Sequence, residues 1–311
     1  MKEWEEDTAQ NNKKLVDSNK KDPQISYGGQ ALIEGVMIRG KKAAVLAVRS
    51  PDGEIVKEQI KFSRFYNRSL LKIPILRGIL NLADSLVVGT RALNFSANIA
   101  EGETDPKKNS EGINLAIVIS LSLIIAIGIF FVTPALVSRG FHYLGFNNLL
   151  VSFLEGLIRL VFVIGYIYII GLSKDIRRVF QYHGAEHMAV WTHEDGMDLS
   201  KSNLRNFTKE HPRCGTSFIL LVVMVSIIVF MLFPRDNLII FILLRIILVP
   251  VIAGISYELL KIGSRSRFKL VKNLLNGPGI LIQKLTTKEP DESQLEVAIE
   301  SMEYAIKLNE D

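Results

Sequence analysis

Four stretches of this chain are almost free of charge, and strongly charged stretches separate them. Gly112 to Ser138 contains no ionisable residue, and Leu149 to Leu172 carries only Glu155 and Arg159. Gly215 to Pro234 is uncharged, and Asn237 to Tyr257 carries only Arg245. A bilayer core of about 30 Å needs roughly 20 helical residues to cross it. Each block meets that length. The pattern therefore predicts a mainly α integral membrane protein with four transmembrane helices, and it disfavours four buried helices of a soluble fold.

Outside these blocks the polar–apolar pattern changes period. "AAVLAVR" (43–49) and "EIVKEQIKF" (54–62) flank the turn signal "SPDG", which predicts a hairpin. "GGQALIEGVMIRG" precedes it, and its glycines permit tight turns or close backbone approach. Their spacing matches neither a P-loop nor a dinucleotide fingerprint. Residues 69–99 repeat apolar positions at helical spacing, with a break near Pro74. Packing on a cytoplasmic module is the expected role of that helix, ahead of lying in the membrane interface. Near the C-terminus, Asp291 or Ser293 can cap a helix whose stripe is Leu295, Ala298, Met302 and Ala305.

The resulting organisation is a disordered polar tail over 1–26, a cytoplasmic N-terminal module over 27–100 and a linker over 101–111. A four-helix membrane domain follows over 112–257, with a cytoplasmic 173–214 segment, and a cytoplasmic tail with a terminal helix covers 258–311. The α+β module is built from the cytoplasmic parts. The polar first residues lack the apolar region of a cleaved signal peptide.

Charge adds orientation. Arg139 and Arg235 stand alone between helices one and two and between three and four. The segment between two and three holds Lys174, Arg177, Arg178, Lys201, Arg205, Lys209 and Arg213, and the tail opens on Lys261, Arg265, Arg267, Lys269 and Lys272. The positive-inside rule then places both termini and the 173–214 segment in the cytoplasm of a multi-pass membrane protein. The same asymmetry accounts for the net charge of +5, so no nucleic-acid partner is expected. A single cysteine, Cys214, excludes an internal disulfide and a cysteine-rich zinc knuckle.

"QYHGAEHMAVW" (181–191) is the stretch that can carry chemistry. If helix two continues through 175–193, His183 and His187 share one face a turn apart and can grip one zinc ion. Glu186 beside them can serve as general base, the H-x-x-E-H arrangement of inverted zincins. The competing reading is a polar helix face hydrogen-bonded to the N-terminal module. "HPRCGTS" brings His211 and Cys214 to the same membrane face, three residues apart. Cys214 can equally be a small apolar residue at the membrane surface. Glu258, at the cytoplasmic end of helix four, is a candidate third ligand, with Glu194 and Glu34 as competitors. His193 is off the His183 face. Within the bilayer, Glu155, Arg159 and Arg245 read as an interhelical clamp ahead of a transport pathway.

Five blocks in order, "GGQALIEGVMIRG", "RRVFQYHGAEH", "HPRCGTSF", "PVIAGISYE" and "LTTKEPDESQLEVAIE", resemble the signature of the YqhQ family of bacterial membrane proteins. The resemblance runs from about Tyr27 past Ile299. It implies a bacterial cell membrane and supports a metal-dependent enzyme, while naming no substrate. Met188 departs from a family position that is often basic. The expectation is a metal-dependent hydrolase at the cytoplasmic membrane face. Glu186 is its catalytic residue, and zinc or another divalent metal is held by His183, His187 and one or more of His211, Cys214 and Glu258. The rivals are a membrane scaffold or biogenesis factor with other membrane proteins as partners, and then a transporter.

Overall fold

The computed structural model describes residues 27–61, 72–103, 113–233 and 237–310. The expected tail over 1–26 and the linker beyond residue 103 lie outside them.

The N-terminal stretch folds as an antiparallel meander of Gly28–Leu32 (β1), Gly35–Arg39 (β2), Ala43–Arg49 (β3) and Ile55–Lys61 (β4), in the order β1-β2-β3-β4. The 43–62 hairpin is present, with its strands within a residue of the expected bounds. Strands β2 and β3 are apolar on both faces because both faces are covered. Val36, Ile38, Val45 and Ala47 pack against Lys174–Glu194 (α5) and Glu292–Glu310 (α11). Leu32, Met37, Leu46 and Val48 pack against Val88, Ala92 and Phe95 of Leu76–Ala100 (α1). Glu34, at φ 52° in the β1–β2 turn, pairs with Arg178 and accepts from the Tyr182 hydroxyl at 3.1 Å, so the hairpin tip is fastened to α5.

Helix α1 thus takes the packing role expected of it, and it also reaches the apolar part of the chain. Gly78 abuts Gly254, Asn81 donates to the Tyr257 hydroxyl at 2.9 Å, and Arg77 pairs with Glu258. In α11 all four stripe residues are fully buried, and the Asp291 carboxylate accepts the backbone N–H groups of Ser293 and Gln294, each at 2.9 Å.

The apolar blocks become helices of unequal reach. Ile113–Ile127 (α2), a π-helical turn Gly128–Val132 and Thr133–Tyr143 (α3) join into an apolar run whose 27 residues from Ile117 suffice to cross a membrane. Asn148–Ile170 (α4), with 23 residues, suffices too. Thr216–Met231 (α7) has 16 residues, about 24 Å of helix. The last block is two helices, Leu238–Ile247 (α8) and Val249–Arg265 (α9), bent by 41°. Pro250 in the first turn of α9 cannot donate its N–H, so the helical ladder breaks at Leu248. Among the described residues, two helices are therefore long and apolar enough to span, or three if the bent pair is one span. Four straight spans are not what these helices form.

Two further differences matter for the site. The chain turns at Gly171–Ser173 and starts α5 afresh, with Ser173 at the N-cap, instead of extending α4. A helix not foreseen, Lys269–Thr286 (α10), follows α9 and packs against α7. The short Lys201–Leu204 (α6) lies on the α5–α11 side of the sheet, with Leu204 in that core.

Glu155, Arg159 and Arg245, each about 1% exposed, form one node. Glu155 accepts from Arg159 at 2.9 Å and from Arg245 at 3.0 and 2.9 Å. Arg159 also donates to Ser226 of α7 and, at 2.9 Å, to the Phe130 carbonyl of the π-helical turn. The Arg245 guanidinium lies against the Phe230 and Phe241 rings at 4.1 and 4.2 Å. Ser138 of α3 also donates to Glu155 at 3.4 Å, so Glu155 and its partner Arg159 together tie α3, α4, α7, α8 and the π-helical turn.

Candidate metal centre

Helix α5 sets His183, Glu186 and His187 within a turn, where one face of the helix meets the start of α7 and the end of α10. His183 Nδ1 lies 2.9 Å from the Thr286 carbonyl, and His187 Nδ1 lies 2.6 Å from the Lys209 carbonyl. A carbonyl oxygen only accepts, so both rings carry their proton on Nδ1 and a bare lone pair on Nε2. Such orienting hydrogen bonds are what ligating histidines use.

Both lone pairs meet the Cys214 sulfur. His183 Nε2 is 3.2 Å from Sγ, and ligand atoms of His183, His187 and Cys214 all fall within 4.8 Å of one another. A thiol has one hydrogen and can serve only one of the two imidazoles. Burial pushes the Cys214 thiol up, but the His187 ring and the Thr216 hydroxyl and N–H, turned to the sulfur, outweigh it and hold it below its ordinary value. Burial, aided by neighbouring His183, pushes His187 down to about 4, which keeps it neutral. Two imidazoles with bare Nε2 atoms and one thiol form a nitrogen–sulfur donor set of the kind zinc takes.

The other expected donors are committed elsewhere. His211 accepts the Arg213 N–H on Nδ1 at 3.3 Å, so its Nε2–H points to Glu194 at 3.4 Å. No lone pair is left for a cation. Glu194 holds Arg213 as well. Glu258 is held by Arg77, and Glu34 by Arg178. The structure thus gathers His183, His187 and Cys214, and leaves His211 and Glu258 outside the cluster.

Glu186 is 4% exposed, and its Oε2 lies 3.5 Å from His187 Nε2. Burial raises its carboxyl to about 8, with neighbouring His183 opposing this and Cys214 and Glu194 adding to it. A cavity of about 350 Å³ opens beside it, lined by Gly28 and Gly29 of β1 together with His187, Arg213 and Cys214. Gly29 is required there: a Cβ would stand 2.6 Å from Glu186 Oε1. Catalytic zinc sites combine three protein donors with one open position, and here three donor side chains stand beside a cavity.

Several supporting residues were not singled out from the sequence. Gln283 of α10 holds the His211 backbone from both sides, accepting its N–H at 2.7 Å and donating to its carbonyl at 2.9 Å. Gly279 lets α10 close on Ser217. Only the glycine-rich run before β2 carried a signal, as a place of close backbone approach.

Residues 73–308 match the family described as "Protein of unknown function (DUF1385)". The "Uncharacterized protein YqhQ" of Bacillus subtilis (strain 168) is 37% identical over 297 residues, covering 91% of this chain and 93% of that protein. No solved structure matches the chain. The family match and the near full-length similarity agree with the motif blocks, and the chain belongs to the YqhQ (DUF1385) family.

Proposed function

We propose that this protein is a metal-dependent hydrolase of the bacterial cell membrane, acting at its cytoplasmic face. One observation carries the reading: two imidazoles with Nδ1 tied to backbone carbonyls turn bare Nε2 atoms on the same thiol, with a buried carboxylate and a cavity alongside. His183, His187 and Cys214 would hold the cation. A bound zinc-class ion supplies Lewis acidity and lowers the pKa of water toward about 7. Glu186 takes the proton of the attacking water and returns it to the leaving group. Burial keeps the Glu186 carboxyl basic enough to accept that proton.

Four crossings, with both termini inside, remain the proposed topology. The polar node supports it, since α4, a span of 23 residues, shares Glu155 and Arg159 with α7 and α8 and so sets them at a common depth. The basic residues of 173–214 and of the tail support the orientation.

A second reading has its own observation. The cluster joins α5, the α7 start and, through Thr286, α10, so a cation there would also staple the sheet module to the apolar helices. This is the scaffold alternative, with a structural metal. One complementation assay separates the two, with protein level and bound metal measured in parallel. As a hydrolase, Glu186→Gln retains about one equivalent of zinc yet loses function, because general-base catalysis contributes roughly 10²–10⁴-fold. His183→Ala with His187→Ala loses metal and function together. Full complementation by metal-loaded Glu186→Gln protein would establish the scaffold instead.

A further inference from the structure

The cavity beside Glu186 has an unusual wall. Among the described residues, strand β1 ends the sheet, paired with β2 on one side only. Its residues alternate between faces: Gly29 turns to Glu186 on α5, whereas Gln30 turns to Gly89 on α1. The cavity nevertheless takes lining from both sides, Glu186 and His187 from α5 and Ser85 from α1. A cavity walled from both faces of a sheet runs past the sheet's edge, and the edge at this place is β1.

That edge is backbone rather than side chain. Gly28 and Gly29 are exposed, and a Cβ on Gly28 would meet nothing within 4 Å. Edge strands direct alternate N–H and C=O groups outward, ready to pair with an added strand. Here those groups border the same space as Glu186, His187 and Cys214.

We infer that the substrate is a polypeptide segment, bound extended as an added strand along the edge of β1 that no described strand pairs, with one backbone carbonyl presented beside Glu186. The inference rests on the hydrolase reading and names its substrate class. Charge favours a neutral amide over a phosphoester, because the two rim cations are already compensated. Arg39 pairs with Asp84 at 2.6 Å, and Arg213 pairs with Glu194. Shape disfavours a lipid chain: the apolar lining is Tyr27, Met37 and Val190, interrupted by polar groups, and forms no long apolar channel. The volume, about 350 Å³, lies at the small end of ligand sites and suits the few residues around a scissile bond. In the reaction the oxygen of water bonds to the amide carbon and the carbon–nitrogen bond breaks. Glu186 carries the water proton to the departing nitrogen, leaving a carboxylate and an amine.

The test uses the full chain in nanodiscs with zinc and a pool of internally quenched decapeptides. The fastest-cleaved decapeptide is resynthesised with single backbone N-methyl groups. Cleavage by the wild type and anisotropy-measured binding to Glu186→Gln protein are both followed. Strand addition predicts losses of about tenfold or more at every second position on one side of the scissile bond, and small effects between, since each removed hydrogen bond leaves a partner unpaired. A scan without that alternation overturns the added strand. Zinc- and Glu186-dependent hydrolysis of p-nitrophenyl acetate or of phospholipid vesicles, with no decapeptide bound or cut, overturns the polypeptide substrate and leaves the hydrolase standing. Absence of zinc-dependent hydrolysis on every probe removes both.

Discussion

Gly29 shows how much of the site rests on a missing atom. Its position has no unusual φ; the constraint is contact, with the Glu186 carboxylate on one side and the Met37 carbonyl 2.7 Å from a Cβ on the other. Gly29→Ala must displace one of them, and the side chain gives way more easily than the sheet. The expected protein is folded, destabilised by about 1–3 kcal/mol and loaded with metal, because overpacking strains a site without touching the ligands. Its hydrolysis of p-nitrophenyl acetate should fall with that of Glu186→Gln. Metal content, melting temperature and rate measured together check this; wild-type turnover would show that Glu186 has room to spare. At this scale the sequence was partly readable. The two histidines and the glutamate stand out by spacing along a helix. Which further side chain joins them depends on which lone pairs remain once hydrogen bonds are made, and that is a tertiary property. His211 and Cys214 look alike in the motif, but the Arg213 N–H takes the His211 Nδ1 lone pair and Glu194 its Nε2–H, whereas the Cys214 sulfur lies 3.2 Å from His183 Nε2.

The elements are closed by local chemistry that can be tested one end at a time. Burial raises the Asp291 carboxyl, but the Ser293 hydroxyl and the N–H groups of Gln294 and Ser293 outweigh it, so it sits below the usual carboxylate value. A group with a depressed folded pKa adds stability that is complete above its unfolded value, about 3.9 for Asp, and is lost as pH falls through the folded one. Hydrogen exchange in the first turn of α11 should therefore quicken below about pH 4. Asp291→Asn should remove the pH response while keeping the cap, and Asp291→Ala should weaken the turn by about 1 kcal/mol at neutral pH. An acid response unchanged in the Asn variant would assign it to another carboxylate. Capping and stripe were readable in the sequence because both are local. The break at Leu248 was hidden by apolar continuity, although Pro250 marked it, and α10 was hidden because its apolar face is interrupted by Asn276 and Pro278.

Across the described residues, the sheet module and the apolar helices are joined where His183 meets Cys214 and the Thr286 carbonyl, and through α1 onto α9. Within the apolar part the joint is Glu155. Glu155→Ala would strand two buried guanidinium groups, at a cost of about 3–5 kcal/mol. Membrane levels and detergent melting temperature should drop sharply, and replacing Glu155, Arg159 and Arg245 together by leucine should recover much of both, since an apolar node needs no counter-charge. Normal levels of Glu155→Ala protein would contradict a structural clamp and favour a transport role. Topology is checked with reporters: those after Asp311 and near Asp198 should read as cytoplasmic and one near Asn147 as external. An external Asp198 would put the His183–His187–Cys214 cluster on the wrong side.

Periodicity and composition alone determined the apolar blocks, the hairpin, the capped terminal helix and the H-x-x-E-H helix face, because each is written in residues within a turn or two of one another. Tertiary structure decided the rest. It stopped α4 at Gly171 and restarted α5, bent α8 against α9, gave Glu258 to Arg77, and brought Cys214 rather than His211 to the two imidazoles. These outcomes depend on the approach of segments dozens of residues apart. There, the pairing of one donor removes it from every other use.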